Sequence, residues 1–287
     1  MKRLLAFCVW CFLIAGFLSF GQGNLVRMNV VVITSDTTRS ASVSAYGDPI
    51  SRMPNLDRLV RSGTQIRWPI SVATCTLPAH TSVFTGQFPD QHGVEGNESF
   101  LSENTLTLAR ILRRQAYDTA CFCAVSILAD LARDFEQKYL PENFWRRSGT
   151  FVDQVCEYLR DHRGGSKPFL LWVHGFDPHH PYAPPEPYQS LFPEVAQGQP
   201  FVNYEAQEKV PMGYCPELPR SSTLAQYYGA LQYWDRKLGL ILNEVSKIPN
   251  TLLIFVADHG ENLGEGGIFG HVTGTEQVLG IPMVFYH

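Results

Sequence analysis

The chain has 287 residues, 45% hydrophobic and 17% charged, with a formal net charge of -4. That length and apolar content suit one large domain with a substantial buried core and exclude a disordered or fibrous chain. The weak negative charge, with no block of like charges, excludes a general nucleic-acid binder, so any anion site has to be local.

At the N-terminus, Lys2 and Arg3 precede an apolar run from Leu4 to Phe20, and the small residues Ser19 and Gly21 stand before Gln22. This reads as a signal peptide over residues 1–21; the competing reading is an N-terminal membrane anchor. Under either reading residues 22–287 are exported to a periplasmic or extracellular space. Five of the seven cysteines follow the leader: Cys75, Cys121, Cys123, Cys156 and Cys215. Their odd count and irregular spacing make no disulfide framework, although one or two bridges fit an oxidising compartment, and they show no zinc spacing.

Met28 to Thr34 is rich in β-branched residues, the pattern of a strand buried on both faces of a parallel sheet. It runs into Asp36, beyond the carboxyl end of the strand, where open α/β sheets gather ligands. Read alone, Asp36 is equally an aspartate in an ordinary turn. Pro54 to Gly63 places Leu56, Leu59 and Val60 on one face of a short helix with a glycine stop. A strand around Thr64 to Ser71 then leads to Thr76-Leu-Pro-Ala-His-Thr-Ser-Val-Phe-Thr-Gly86. Pro78 suits the first helical position, which puts the Thr76 hydroxyl at the helix mouth, where an anion can settle. A plain capped helix is the alternative. His92, before Gly93 in a turn-dense loop, reads as structural.

Leu106 to Ala116, Thr119 to Val125 and Phe151 to His162 read as helix, strand and helix of the scaffold. Phe169 to Val173 is a second buried strand. It opens into His174, Asp177, His179, His180 and Tyr182, too many polar groups to bury idle. Phe192 to Pro219 is irregular and reads as a lid or substrate-facing loop, and Ser222 to Val245 as a long core helix. Thr251 to Ala257 is a third buried strand, ending in Asp258-His259-Gly260-Glu261. Two metal-type ligands at a strand end point to a metal site, with a salt-bridged Asp–His pair as the alternative. Ile281 to Tyr286 is the last strand. The whole is an α/β chain.

Four separated segments carry a resemblance to one family. Thr76, Pro78, His80, Thr85 and Gly86 match a nucleophile signature. Asp36 to Arg39 with Ala45-Tyr46-Gly47, Asp177-Pro-His179-x-Pro-Tyr182, and Asp258-His-Gly-Glu-x-Leu-Gly-Glu265 match the other segments in order. Together they resemble the sulfatase branch of the alkaline phosphatase superfamily over roughly residues 28–286. The resemblance implies a three-layer sandwich: a mostly parallel central sheet with helices on both faces. It departs at Thr37, where typical members carry a second acid, at Gly266, where many have histidine, and at the C-terminus, where the usual smaller subdomain is lacking. The register selects Thr76 over Cys75 as the nucleophile.

The resemblance implies roles as well. Thr76 with His80 and His179 would form the catalytic group. Asn97, His179 and His271 would bind the substrate anion. Asp36, Thr76, Asp258 and His259 would hold one divalent metal ion, Mn, Mg or Ca, with Zn allowed by the histidine. Sulfatases convert a cysteine or serine to formylglycine, an aldehyde that threonine cannot give. The sequence-based expectation is therefore a phosphate mono- or diester hydrolase or phosphotransferase working through a covalent Thr76 intermediate, with His179 as proton donor or acceptor. The alternatives are a sulfuric ester hydrolase, and an inactive relative that binds an anionic glycan or lipid. The expected partner is an anionic ester of a glycan, a lipid head group or a small molecule, with membrane association only through the N-terminus.

Overall fold

The computed structural model describes residues 27–197 and 220–287. The leader, most of the irregular stretch after Phe192, and Cys215 lie outside the described residues. Nine strands are described: β1 Asn29–Ser35, β2 Thr64–Gln65, β3 Asp118–Cys123, β4 Gln137–Tyr139, β5 Phe169–Gly175, β6 Thr251–Ala257, β7 Asn262–Glu265, β8 Ile268–Gly270 and β9 Met283–Tyr286. Seven of them form one sheet in the order β2-β9-β6-β1-β5-β3-β4, and β7 and β8 pair as a separate hairpin. β6, β1, β5, β3 and β4 run parallel, while β9 is antiparallel to both its neighbours.

The central strands form because their apolar runs need cover on both faces. Val30 to Ile33 and Phe169 to Val173 are buried throughout. Alternate side chains of β5 meet opposite layers, as the strand period of two requires. Trp172 packs its ring 4.6 Å from that of Phe84 on α2, Thr76–Thr85. Three residues on, a Cβ added to Gly175 would stand 2.6 Å from the Trp234 ring of α5, Arg220–Val245. Helices therefore cover both faces of the sheet. On the α2 side lies α3, Leu108–Arg114; on the α5 side lie α1, Pro54–Ser62, and α4, Val152–Asp161. α1 is capped by α5: Asn55 N and Leu56 N donate to the Asp235 carboxylate at 3.1 and 2.8 Å.

Two sequence-based boundaries are corrected. α2 begins at Thr76, two residues earlier than Pro78 implies. The first intrahelical bond runs from Ala79 N to Cys75 O, 3.1 Å, so Pro78 sits where its missing N–H would have had no partner anyway. The strand expected to Ser71 stops at Gln65, and beyond it only Ile70 bridges to Gly280. The stretch between Glu261 and His271, given no element from sequence, holds the β7–β8 hairpin. Among the described residues Cys75, Cys121, Cys123 and Cys156 are free thiols, and no helix is long and apolar enough to cross a membrane.

Candidate active site

β1, β5 and β6 end level, with Thr34 paired to His174 on one side and Val256 on the other. Asp36 and Asp258 therefore leave neighbouring strands at the same edge. Both are buried, at 0% and 2% exposure. Asp258 Oδ1 accepts from Thr37 N at 3.2 Å and His259 N at 2.8 Å. Its backbone carbonyl is held by the Ser71 hydroxyl. Asp36 Oδ2 accepts from Thr76 Oγ1 at 3.4 Å. His259 Nδ1 donates to the Gly260 carbonyl at 3.0 Å, which fixes the tautomer and leaves a lone pair on Nε2.

The bare atoms of these groups face one another. Asp36 Oδ1, Asp258 Oδ2 and His259 Nε2 are all buried and have no hydrogen-bond partner. One ligand atom from each of Asp36, Asp258 and His259 falls within 4.8 Å of the others. Burial raises the Asp36 carboxyl to about 7, against the attraction of His271. Asp258 is held well above the usual carboxylate range by burial and by the negative charge of Asp36 beside it. Buried carboxylates with bare oxygens are costly unless paired or coordinating. The residues fit a divalent cation.

Thr76 lies at the first position of α2 and is 2% exposed, with its hydroxyl at Asp36. Asn97 stands beside it, but its Oδ1 accepts from Leu77 N at 2.9 Å. Its carbonyl end thus caps α2, and the anion-binding role expected of Asn97 falls to its amide end. His80 is placed behind the site. It is fully buried, Nδ1 donates to the Thr76 carbonyl at 2.7 Å, and Nε2 accepts from the Thr34 hydroxyl at 3.0 Å. Burial and His174 hold it well below the imidazole range. With both nitrogens engaged, His80 positions the Thr76 turn and has no free nitrogen for catalysis, a correction to its expected catalytic role. His92 bonds Ser82 and Val94 and closes a turn, as expected.

His271 and His179 line the other side. The His271 ring lies 4.4 Å from that of His259 and 5.2 Å from that of His179. His271 Nδ1 donates to Glu261 Oε1 at 3.1 Å, and Glu261 is 1% exposed. Despite burial, Glu261 with Asp36 and Asp258 raises His271 to about 9, so it is a cation at neutral pH. His179 is the opposite. Burial and His271 push it well below its usual value, and its Nδ1 donates to the His180 carbonyl. Its Nε2 is therefore a proton acceptor. Asp177 carries no ligand role: its carboxylate accepts from Ser148 N at 3.3 Å and anchors that loop.

Two residues were given no role from sequence. Glu261 sits inside the Asp258-His-Gly-Glu motif, and its spacing signal went unused. His174 was read only as one of the polar residues that follow the buried run, and the strand register places it beside Asp36.

The comparisons bear on the substrate. An ulvan-active sulfatase from Formosa agariphila is 24% identical over 283 residues, which is 86% of this chain and 53% of that protein. Human iduronate 2-sulfatase is 22% identical over 90% of this chain and 59% of its own. The chain thus spans somewhat more than half the length of these two relatives. Among solved structures, BT4656 in complex with its substrate D-glucosamine-2-N,6-O-disulfate superposes with a TM-score of 0.77 at 17% identity, covering 91% of this chain and 71% of that one. These findings overturn the phosphate-ester expectation in favour of its sulfuric-ester alternative. That expectation rested on Thr76 alone, and sulfate and phosphate esters present the same tetrahedral anion to a hydroxyl at a helix mouth. A profile of the sulfatase family matches residues 28–287. With its sheet, its strand-end ligands and this match over nearly the whole chain, the protein belongs to the sulfatase family.

Proposed function

We propose that this chain carries the catalytic region of a metal-assisted sulfuric ester hydrolase whose substrate is a sulfated sugar. The observation that carries the metal-assisted chemistry is the set of bare, buried ligand atoms on Asp36, Asp258 and His259 around the Thr76 hydroxyl. The sulfated sugar is supported by what the relatives' names say of them. Asp36, Asp258 and His259, with the Thr76 oxygen, would hold a divalent cation, which supplies Lewis-acid polarisation of the ester and lowers the pKa of a hydroxyl beside it.

The chain's own residues then have distinct tasks. His271, held cationic by Glu261, binds the sulfate anion and gives a proton to the departing sugar oxygen. Thr76 Oγ1 releases its proton to Asp36 and bonds to sulfur as the ester S–O bond breaks, leaving a threonine sulfate and a free sugar alcohol. His179 Nε2 takes a proton from the water that attacks sulfur; as the Thr76 O–S bond breaks, Asp36 returns its proton to Thr76 Oγ1, sulfate leaves, and the proton on His179 replaces the one that His271 gave up. No formylglycine is involved, because threonine cannot form it.

The test is sulfate release from p-nitrophenyl sulfate and from 6-sulfated glucosamine by the purified chain with Mg, Mn, Ca or Zn. Turnover should need the metal and fall at least about a hundredfold in Thr76→Ala. Turnover confined to phosphate esters, or a Thr76→Ala variant that keeps wild-type sulfate release, would overturn the reading.

A further inference from the structure

His271 stands on a stretch of chain that its own residues leave loose. Gly270, just before it, has a φ of 80°, and the three residues after it, Val272, Thr273 and Gly274, are exposed. Yet the imidazole is placed closely, 4.4 Å from the His259 ring and 5.2 Å from the His179 ring. Glu261 holds that ring through Nδ1, which does not fix the backbone that carries it.

The backbone is held by one buried amide. Asn262, the first residue of β7, is 1% exposed, and its Nδ2 donates to the Gly270 carbonyl at 2.9 Å and to Thr273 Oγ1 at 3.4 Å. Its Oδ1 accepts from Thr275 Oγ1 at 2.9 Å. A single side chain thus binds the residue before His271 and two residues after it. Its own base is fixed in turn: Gly260 N donates to Val278 O at 2.6 Å and Glu261 N to Gln277 O at 3.1 Å. The task needs donors and an acceptor on one short side chain. An ionised aspartate of the same shape only accepts and would leave the Gly270 carbonyl without its donor. We propose that Asn262 is a positioning residue that brackets the His271 loop and keeps the imidazole aimed at the sugar oxygen it protonates. The inference rests on the sulfuric-ester reading and adds the residue that holds its acid in place.

Two readouts test it, one of them independent of turnover. In imidazole proton–nitrogen spectra of the full chain, the His271 Nδ1 proton donated to Glu261 should give a protected signal, assigned by its loss in His271→Ala. Asn262→Ala should broaden or abolish that signal and leave that of His80 in place. An unchanged His271 signal would overturn the inference, and so would loss of the His80 signal as well, which would mean that Asn262 holds the whole site. The second readout is the split between substrates. On 6-sulfated glucosamine, whose alkoxide needs a proton to leave, Asn262→Ala should lower kcat about a hundredfold. On p-nitrophenyl sulfate, whose phenolate departs unaided, kcat should stay near wild type while KM rises. Thr275→Val, which removes one bond of the bracket and keeps the side-chain shape, should show the same split in smaller degree. Added to His271→Ala, Asn262→Ala should cost nothing further. Equal loss of kcat on both esters, or additive effects, would mark a merely structural role and sink the inference. A wild-type chain that turns over neither ester would remove the sulfuric-ester reading, while the His271 signal still decides whether Asn262 holds that loop.

Discussion

Thr37 shows how one residue can be held against its own preference. Its φ of 49° is left-handed, which a β-branched side chain adopts at a cost of about 1–3 kcal/mol. The surroundings over-determine it: its N–H donates to Asp258 Oδ1 at 3.2 Å, and its carbonyl accepts from the Tyr227 hydroxyl at 2.8 Å. The same conformation suits aspartate better than threonine. Thr37→Asp should therefore lose little in backbone fit, but it adds a third carboxylate to two that are already buried and raised in pKa. The metal-free variant should be about 1–3 kcal/mol less stable than wild type, and its affinity for Mg or Mn should rise. Thermal melts in EDTA, beside calorimetric titration with each metal, measure both. An EDTA melt above wild type, or unchanged Mg affinity, would remove the account of residue 37 as a missing ligand.

The secondary elements were legible where an apolar run was long enough to demand cover. Thr251–Ala257 was bounded from sequence as it is observed, and β1 and α4 to within about one residue per end. Those same runs gave Asp36 and Asp258, because a buried strand has to end in a polar residue at the ligand edge. Three features were not legible, each for a stated reason. Pro78 marks only a stretch without N–H partners, which spans the first turn, so it could not fix the first residue of α2. The β7–β8 hairpin turns on Gly264, Gly266, Gly267 and Gly270, all at positive φ, and shows little of the apolar alternation that marks a strand. That His174 meets Asp36 depends on the register of β5 with β1, which the sequence does not carry.

Contact between elements also limits what the sequence can change. Gly175 leaves room for the Trp234 ring, which would lie 2.6 Å from an added Cβ, and Trp234 is fully buried. Gly175→Ala should destabilise the chain by about 1–3 kcal/mol through overpacking of α5 on the sheet. The loss should be partly relieved when Trp234→Phe is added, giving a non-additive double-mutant cycle in denaturant titrations. Strict additivity would mean that the α5 contact is not what excludes a side chain at 175. Because residue 175 follows His174 and precedes the Asp177 loop, the same variant reports how firmly α5 sets the ligand edge.

At the scale of the whole molecule, the cluster of buried ligands ties stability to pH and metal together. In the metal-free chain the Asp36 carboxyl is raised from 3.8 to about 7 by burial. Between those values the folded chain holds a proton that the unfolded chain has released, so metal-free stability falls as pH rises across that window. Asp258, shifted in the same direction, adds to the slope. A bound divalent cation reverses the preference, since it needs the ionised carboxylates and competes with their protons. Metal binding to the folded chain alone then adds stability that grows with saturation, about 2.7 kcal/mol at a free concentration a hundred times Kd. The two effects compound, and the gap in Tm between metal-loaded and EDTA-treated protein should widen steadily from pH 5 to pH 7. Melts at half-unit pH steps, with and without saturating metal, measure this gap. A gap constant across the window would show that the cation does not bind through Asp36 and Asp258, whereas a widening gap that collapses in Asp36→Asn would locate the linkage at this strand edge.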